Sequence, residues 1–98
     1  MTPKRYRFLY SKQAEKFLQR NPSQVSQDSV ELNVAKAVRK ITKEENNNAD
    51  VIPMKGAFQG NFRVRLGDVR VVFAYLEGDI RIVDIDTIDF RGNVYRIY

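Results

Sequence analysis

Phe62-Arg63-Val64-Arg65-Leu66-Gly67-Asp68-Val69-Arg70-Val71-Val72-Phe73-Ala74-Tyr75-Leu76 decides the fold. Its first five residues alternate apolar and cationic side chains. Side chains on a strand alternate between faces with a period of two. Phe62, Val64 and Leu66 therefore turn to a core, and Arg63 and Arg65 share the other face. Gly67-Asp68 is a turn signal, because glycine accepts positive φ without steric cost. Val69–Leu76 is rich in β-branched and aromatic residues and reads as the returning strand.

Working outward, Glu77-Gly78-Asp79 is a second turn and Ile80–Asp86 a third strand. Three strands joined by two tight turns form an antiparallel meander. In the third strand Ile80 and Ile82 share one parity, Val83 and Ile85 the other. A bulge at Ile82-Val83, or burial on both faces, reconciles them. Gly92-Asn93 reads as a turn, with Arg91 and Tyr95 projecting from a short terminal segment.

Toward the N-terminus, Arg5–Tyr10 alternates cation and aromatic, a strand with Tyr6, Phe8 and Tyr10 inward. Ser11 can cap a helix over Lys12–Arg20, with Ala14, Phe17 and Leu18 on one face and Asn21-Pro22 ending it. Pro22-Ser23 can open a second helix, led by Val25, with the spine Val30, Val34, Ala37, Val38 and Ile41. Lys36, Arg39, Lys40 and Lys43 fall outside that spine and read as a solvated helix face. Residues 46–50 are loop by composition, and Val51–Gly60 is an ordered loop or a short edge strand. The order predicts one α+β domain over residues 1–98. An N-terminal strand and a two-helix hairpin pack on a twisted, mostly antiparallel sheet, with the first strand at an edge or in a slot beside the C-terminal strands.

The chain has 98 residues, 43% of them hydrophobic, enough to build one core. It contains no cysteine and no histidine. Disulfides and cysteine-based metal sites are excluded, so a reducing cytoplasm is the default, and the commonest general base is missing. No apolar run has the length of a membrane span, and the basic start lacks a signal-peptide core. Net charge is +5, which points to an anionic partner or simply aids solubility. Residues 1–50 hold ten Lys/Arg against six Asp/Glu, and residues 51–98 seven against six. Any functional role for the sheet thus depends on where the arginines stand, not on bulk charge.

Arg63, Arg65, Arg70, Arg91 and Tyr95, with Lys55 nearby, suit one chemistry: cleaving RNA without histidine or metal. The phosphorane formed by 2′-hydroxyl attack gains negative charge. A guanidinium fork matches phosphate oxygens and stays cationic. A tyrosine stacks on a base, donates a hydrogen bond, or acts as a base if cations lower its pKa. Each residue also has a structural reading. Arg63, Arg65 and Arg70 could pair with Asp84 or Asp86, Tyr95 could be core, and Lys55 could be a turn residue.

Order and spacing carry more than the single residues. Lys55-Gly56, the stretch Phe62–Phe73, the Ile/Val-rich strand and Phe90-Arg91-Gly92-Asn93-Val94-Tyr95 resemble the toxins of the RelE/ParE superfamily. Tyr10–Leu18 is similar to that family's passage from first strand to first helix. The resemblance is closest to the RelE-type mRNA interferases. It implies a type II toxin–antitoxin toxin, a ribosome-dependent mRNA endonuclease that inhibits translation. It implies cutting in the ribosomal A site without metal or cofactor, and a cognate antitoxin that wraps the toxin. By position it implies catalytic roles for Arg63, Arg65, Arg70, Arg91 and Tyr95. Lys55, and Arg81 as one more arginine recurring on the sheet, are expected to bind RNA. Two departures stand out. Both paired positions are arginine, which releases no proton. Phe90 stands where many relatives have histidine, so an attenuated homologue is one alternative. A ParE-like inhibitor of DNA gyrase is a second, and an inactive basic interaction domain a third.

Overall fold

The computed structural model describes residues 4–56 and 59–93. Its elements run β1 (Arg5–Tyr10), α1 (Lys12–Arg20), α2 (Gln27–Ile41), β2 (Val51–Pro53), β3 (Phe62–Leu66), β4 (Val69–Leu76) and β5 (Ile80–Phe90). The five strands form one sheet in the order β1-β5-β4-β3-β2. β2–β3, β3–β4 and β4–β5 are antiparallel, and β1 joins the edge parallel to β5. The α+β expectation holds, with the first strand at an edge.

Alternation fixes one apolar face on this sheet. Phe62 pairs with Phe73 and Val64 with Val71, while Tyr75 opposes Val83. Val64, Val69, Val71, Phe73, Val83, Ile85 and Ile88 cluster with Ala14, Phe17, Val25, Val30, Val34, Ala37 and Val38 of the helical layer. Fully burying one such Val, Ile or Phe side chain contributes about 1.5–3 kcal/mol. This face is the helix side. Arg63, Arg65, Arg70, Val72 and Thr87 lie on the other, outer side.

Local chemistry sets the boundaries. The Ser11 hydroxyl accepts from the Ala14 N–H and donates to the Asp86 carbonyl, so it caps α1 while fastening it to β5. The Asn21 N–H returns to the Phe17 carbonyl and ends α1. α2 does not open at Pro22-Ser23. Residues 22–24 make a turn in which the Gln24 and Val25 N–H groups donate to the Asn21 carbonyl, and the capping hydroxyl belongs to Ser26. A side-chain acceptor for an orphan N–H outweighs proline's fixed φ as a start signal here. At the far end Lys43 takes φ +63°, and the N–H groups of Glu44 and Lys43 donate to the carbonyls of Arg39 and Lys40. That is a Schellman closure with lysine at the left-handed position. The helix cations are not merely solvated. Lys36, Arg39 and Lys40 bond Asn48, Glu45 and the Ala49 carbonyl, tying the loop after α2 to the helix.

The bulge falls elsewhere than at Ile82-Val83. Val72 opposes Thr87 and Phe73 opposes Ile85, leaving Asp86 without an opposite residue. Ile80 and Ile82 simply face outward, Ile80 being exposed. The extra residue lets Ile85 and Ile88 both reach the helices. It also marks where β1 stops. Past Tyr10 the Gln13 amide donates to the Ile88 carbonyl and accepts from the Ile88 N–H, continuing the ladder with a side chain.

Candidate functional site on the outer face of the sheet

The hairpin between β3 and β4 builds the site. Its two central residues are Gly67, at φ +60°, and Asp68. Among the described residues Lys43 alone is a non-glycine with positive φ, so the turn has the type II′ pattern, whose twist suits a hairpin. This register sets Arg65 directly opposite Arg70. Cross-strand Cβ atoms at such a position are roughly 5 Å apart, and like charges there repel. Arg91 approaches the same turn, its N–H donating to the Asp68 carbonyl at 2.9 Å. Arg65 and Arg70 thus stand side by side at one end of the outer face, with the Arg91 backbone at the same turn and Arg63 two residues along β3.

The four differ in access. Arg70 and Arg63 are 3% and 9% exposed. An Arg70 Nη1 donates to the Gly67 carbonyl at 2.6 Å and the Val69 carbonyl at 3.2 Å, holding the turn. The Arg65 side chain is 51% exposed and lies 3.8 Å from Asp50, also half-exposed. Such a surface pair contributes about 0–1 kcal/mol and leaves the guanidinium open to a better anion. Arg91 is exposed. Asp89 opposes Arg70 on the other side and accepts from the Phe90 N–H and the Asn93 amide.

Lys55 is exposed on the loop after β2. Met54 donates to the Asn61 carbonyl there, so Lys55 sits at the Phe62 end of β3. Four residues separate Asn61 from Arg65, about 13 Å of strand. The structure does not bring Lys55 to the Arg65–Arg70 pair. Tyr95 lies outside the described residues. Residues 91–93 are helical, where the sequence suggested a turn at Gly92-Asn93.

Arg81 is not on this face. It shares the parity of Val83 and Ile85 and lies on the helix side, 2% exposed. Its Nε donates to both Glu77 carboxylate oxygens at 3.0 and 3.1 Å. Its Nη atoms bond Glu44 and the Tyr6 hydroxyl, and the guanidinium stands 5.7 Å from the Tyr6 ring centroid. Lys4 adds a contact to Glu77 at 3.3 Å. The hydrogen bonds that Arg81 donates to Glu44 raise its pKa further, and Arg81 in turn holds Glu44 and Glu77 below the usual carboxylate value. The Schellman turn at Lys43 delivers Glu44 to this clasp. The expected RNA-binding role of Arg81 gives way to a structural one, because two carboxylates and a hydroxyl already hold its fork.

Sequence reasoning passed over a cleft of about 310 Å³ where α1 meets the end of β5. Gln13, Lys16, Phe17, Arg20, Asn21, Asp89, Phe90 and Asn93 line it. Lys16 and Arg20 stand one turn apart on the same helix face, and that i, i+4 spacing was the available signal. Among the described residues no helix is long and apolar enough to cross a membrane.

No family model and no curated protein matches this sequence. Solved structures match its shape. The Escherichia coli DinJ-YafQ toxin-antitoxin complex contains a chain with TM-score 0.59 and 9% identity, covering 93% of this chain and 98% of that one. The YoeB/ParE toxin from Agrobacterium tumefaciens gives TM-score 0.54 at 13% identity, covering 86% and 96%. The RelB-RelE antitoxin-toxin complex from Methanococcus jannaschii gives 0.51 at 18%, covering 92% and 98%. The match spans nearly the whole of each chain, at identities that speak for fold alone. The chain has the fold of the RelE/ParE toxin superfamily.

Proposed function

We propose that this chain is the toxin of a type II toxin–antitoxin pair and acts as a ribosome-dependent mRNA endonuclease in the cytoplasm. The observation that carries the reading is the Arg65–Arg70 register with Arg91 over the same turn. Like charges set opposite each other cost stability, and a bound phosphate removes that cost. Arg65 and Arg91 are the accessible forks for phosphate oxygens. Arg70 and Arg63 add positive potential from beneath, where the dielectric is low.

In the reaction the ribose 2′-hydroxyl loses its proton and its oxygen bonds the adjacent phosphorus. The bond from phosphorus to the 5′-oxygen breaks, and that oxygen takes a proton. The products are a 2′,3′-cyclic phosphate and a 5′-hydroxyl. The arginines stabilise the charge that grows on the phosphorane oxygens. None of them accepts the first proton. Tyr95 is the proposed base or base-orienting group, and the ribosome-bound mRNA supplies a fixed geometry for attack. Lys55, on its remote loop, contacts the RNA rather than the scissile group. The partner is an acidic antitoxin that covers the same arginines.

Cell-free translation with added protein tests this, mapping mRNA 5′ ends on and off ribosomes. Cuts within ribosome-bound codons that vanish in Arg91→Ala are the expected result. Intact mRNA together with blocked gyrase supercoiling would replace the nuclease by a ParE-like inhibitor.

A further inference from the structure

The cleft between α1 and the end of β5 is continuous with the arginine site. Arg65, Arg70 and Asp89 form one row across β3, β4 and β5, and Asp89 is itself a wall of the cleft. β1 stops at Tyr10, so at this level the row passes directly from β5 to α1. There Lys16 and Arg20 extend it. Among the described residues neither makes an ion pair. Asp89, the one carboxylate among the described residues lining the cleft, is engaged by the Phe90 N–H at 2.8 Å and by Asn93 at 3.2 Å. The floor is apolar, the Phe17 and Phe90 rings meeting edge-on at 5.1 Å between centroids. Arg20 stands in the last turn of α1, where a cation also offsets the negative end of the helix. That role requires no cleft, no apolar floor and no second cation at Lys16.

We propose that this cleft is a second RNA subsite, in which Lys16 and Arg20 hold a phosphodiester neighbouring the one at Arg65 and Arg70. The inference rests on the nuclease reading for the identity of the polymer. Geometry supports the step between subsites. One strand spacing, about 4.8 Å, separates Arg70 from the cleft wall at Asp89. The charges of a polynucleotide strand repeat every ~3.4 Å even when helical. A cleft of about 310 Å³ is open enough for a sugar–phosphate unit lying on the phenylalanine edges. The site therefore recognises more than the cleaved step, and substrate length contributes to affinity.

The test is binding of 2′-O-methyl RNA, which has no free 2′-hydroxyl to attack, as a dinucleotide and as a decanucleotide. The unaltered protein is compared with Lys16→Ala/Arg20→Ala by fluorescence anisotropy over a range of salt. Both residues are exposed, so the variant is expected to fold and to melt only a few degrees lower, about what the helix-end charge of Arg20 contributes, and binding is compared well below that temperature. The proposal expects the variant to bind the decanucleotide roughly tenfold more weakly. It also expects a dependence of log affinity on log salt shallower by about 0.7, the share of one phosphate. Dinucleotide binding stays as it was. Equal decanucleotide affinity and salt slope in both proteins overturn this inference alone. So does a variant that keeps RNA affinity but loses an acidic protein partner, which would assign the cleft to that partner. An unaltered protein that binds neither oligonucleotide overturns this inference, while the nuclease reading stands or falls separately on the cleavage of ribosome-bound mRNA.

Discussion

Arg65 and Arg81 occupy the same sheet and face opposite ways. Arg81 points to the helix side, where Glu44, Glu77 and Tyr6 fill its fork. Arg65 points to the outer side, half-exposed, with Asp50 at 3.8 Å and Arg70 directly across. The residue type is the same, and strand phase decides the role. On the covered face the charge is bound into the fold by carboxylates brought from two loops. On the outer face the register opposes two cations, an arrangement that an anionic ligand relieves. The contrast predicts that function and stability separate between the two arginines.

The largest effect is expected at the outer pair. Arg65→Ala should slow cleavage of ribosome-bound mRNA about 10²–10³-fold, the usual loss of one charge-stabilising donor. Its thermal midpoint should stay within about 0.5 kcal/mol of the unaltered protein, as for an exposed substitution. Single-turnover cleavage and calorimetry on the same sample measure both. Arg81→Ala should do the reverse. Losing a buried fork with charge-assisted hydrogen bonds costs about 2 kcal/mol, roughly 10 °C in a domain of this size. Cleavage per folded molecule should be retained.

Acid sharpens the contrast. Arg81 holds Glu44 and Glu77 below the ordinary carboxylate value of 4.5. A group whose folded pKa is lowered stabilises the fold above its unfolded value, and that contribution is lost as pH falls through the folded one. A melting curve taken from neutral pH downward should therefore drop below about pH 4.5 more steeply in the unaltered protein than in Arg81→Met. The smallest effect belongs to Asp50→Asn. An exposed pair at 3.8 Å contributes about 0.5 kcal/mol or less, so the thermal midpoint should barely move. RNA affinity should rise slightly as Arg65 loses its weak competitor.

Much of this contrast was legible in the sequence. The spine Val30, Val34, Ala37 and Val38, the Ser11 cap, and the outward parity of Arg63 and Arg65 all stand as their periodicity requires. Periodicity reports which face a residue takes, not which strand lies beside it. The parallel docking of β1 on β5 and the bulge at Asp86 are set by tertiary pairing and were not readable. The phase of Arg81 was readable. Asp84 and Asp86 occupy the opposite parity from Arg81, Val83 and Ile85, which marks the arginine's face as the covered one. Residue type alone groups Arg81 with the outer-face arginines, and phase separates them. Lys16 and Arg20 drew no attention because cations near a helix C-terminus are ordinary, and only the fold sets them beside β5.

The contrast comes down to the outer-face arginines holding phosphate where the covered one does not. The direct measurement is the salt dependence of binding to non-cleavable single-stranded RNA, made below the melting temperature of each variant. The account predicts a slope shallower by about 0.7 for Arg65→Ala, the share of one phosphate contact, and an unchanged slope for Arg81→Ala. An unchanged slope for Arg65→Ala, or an equal loss for both, would contradict it.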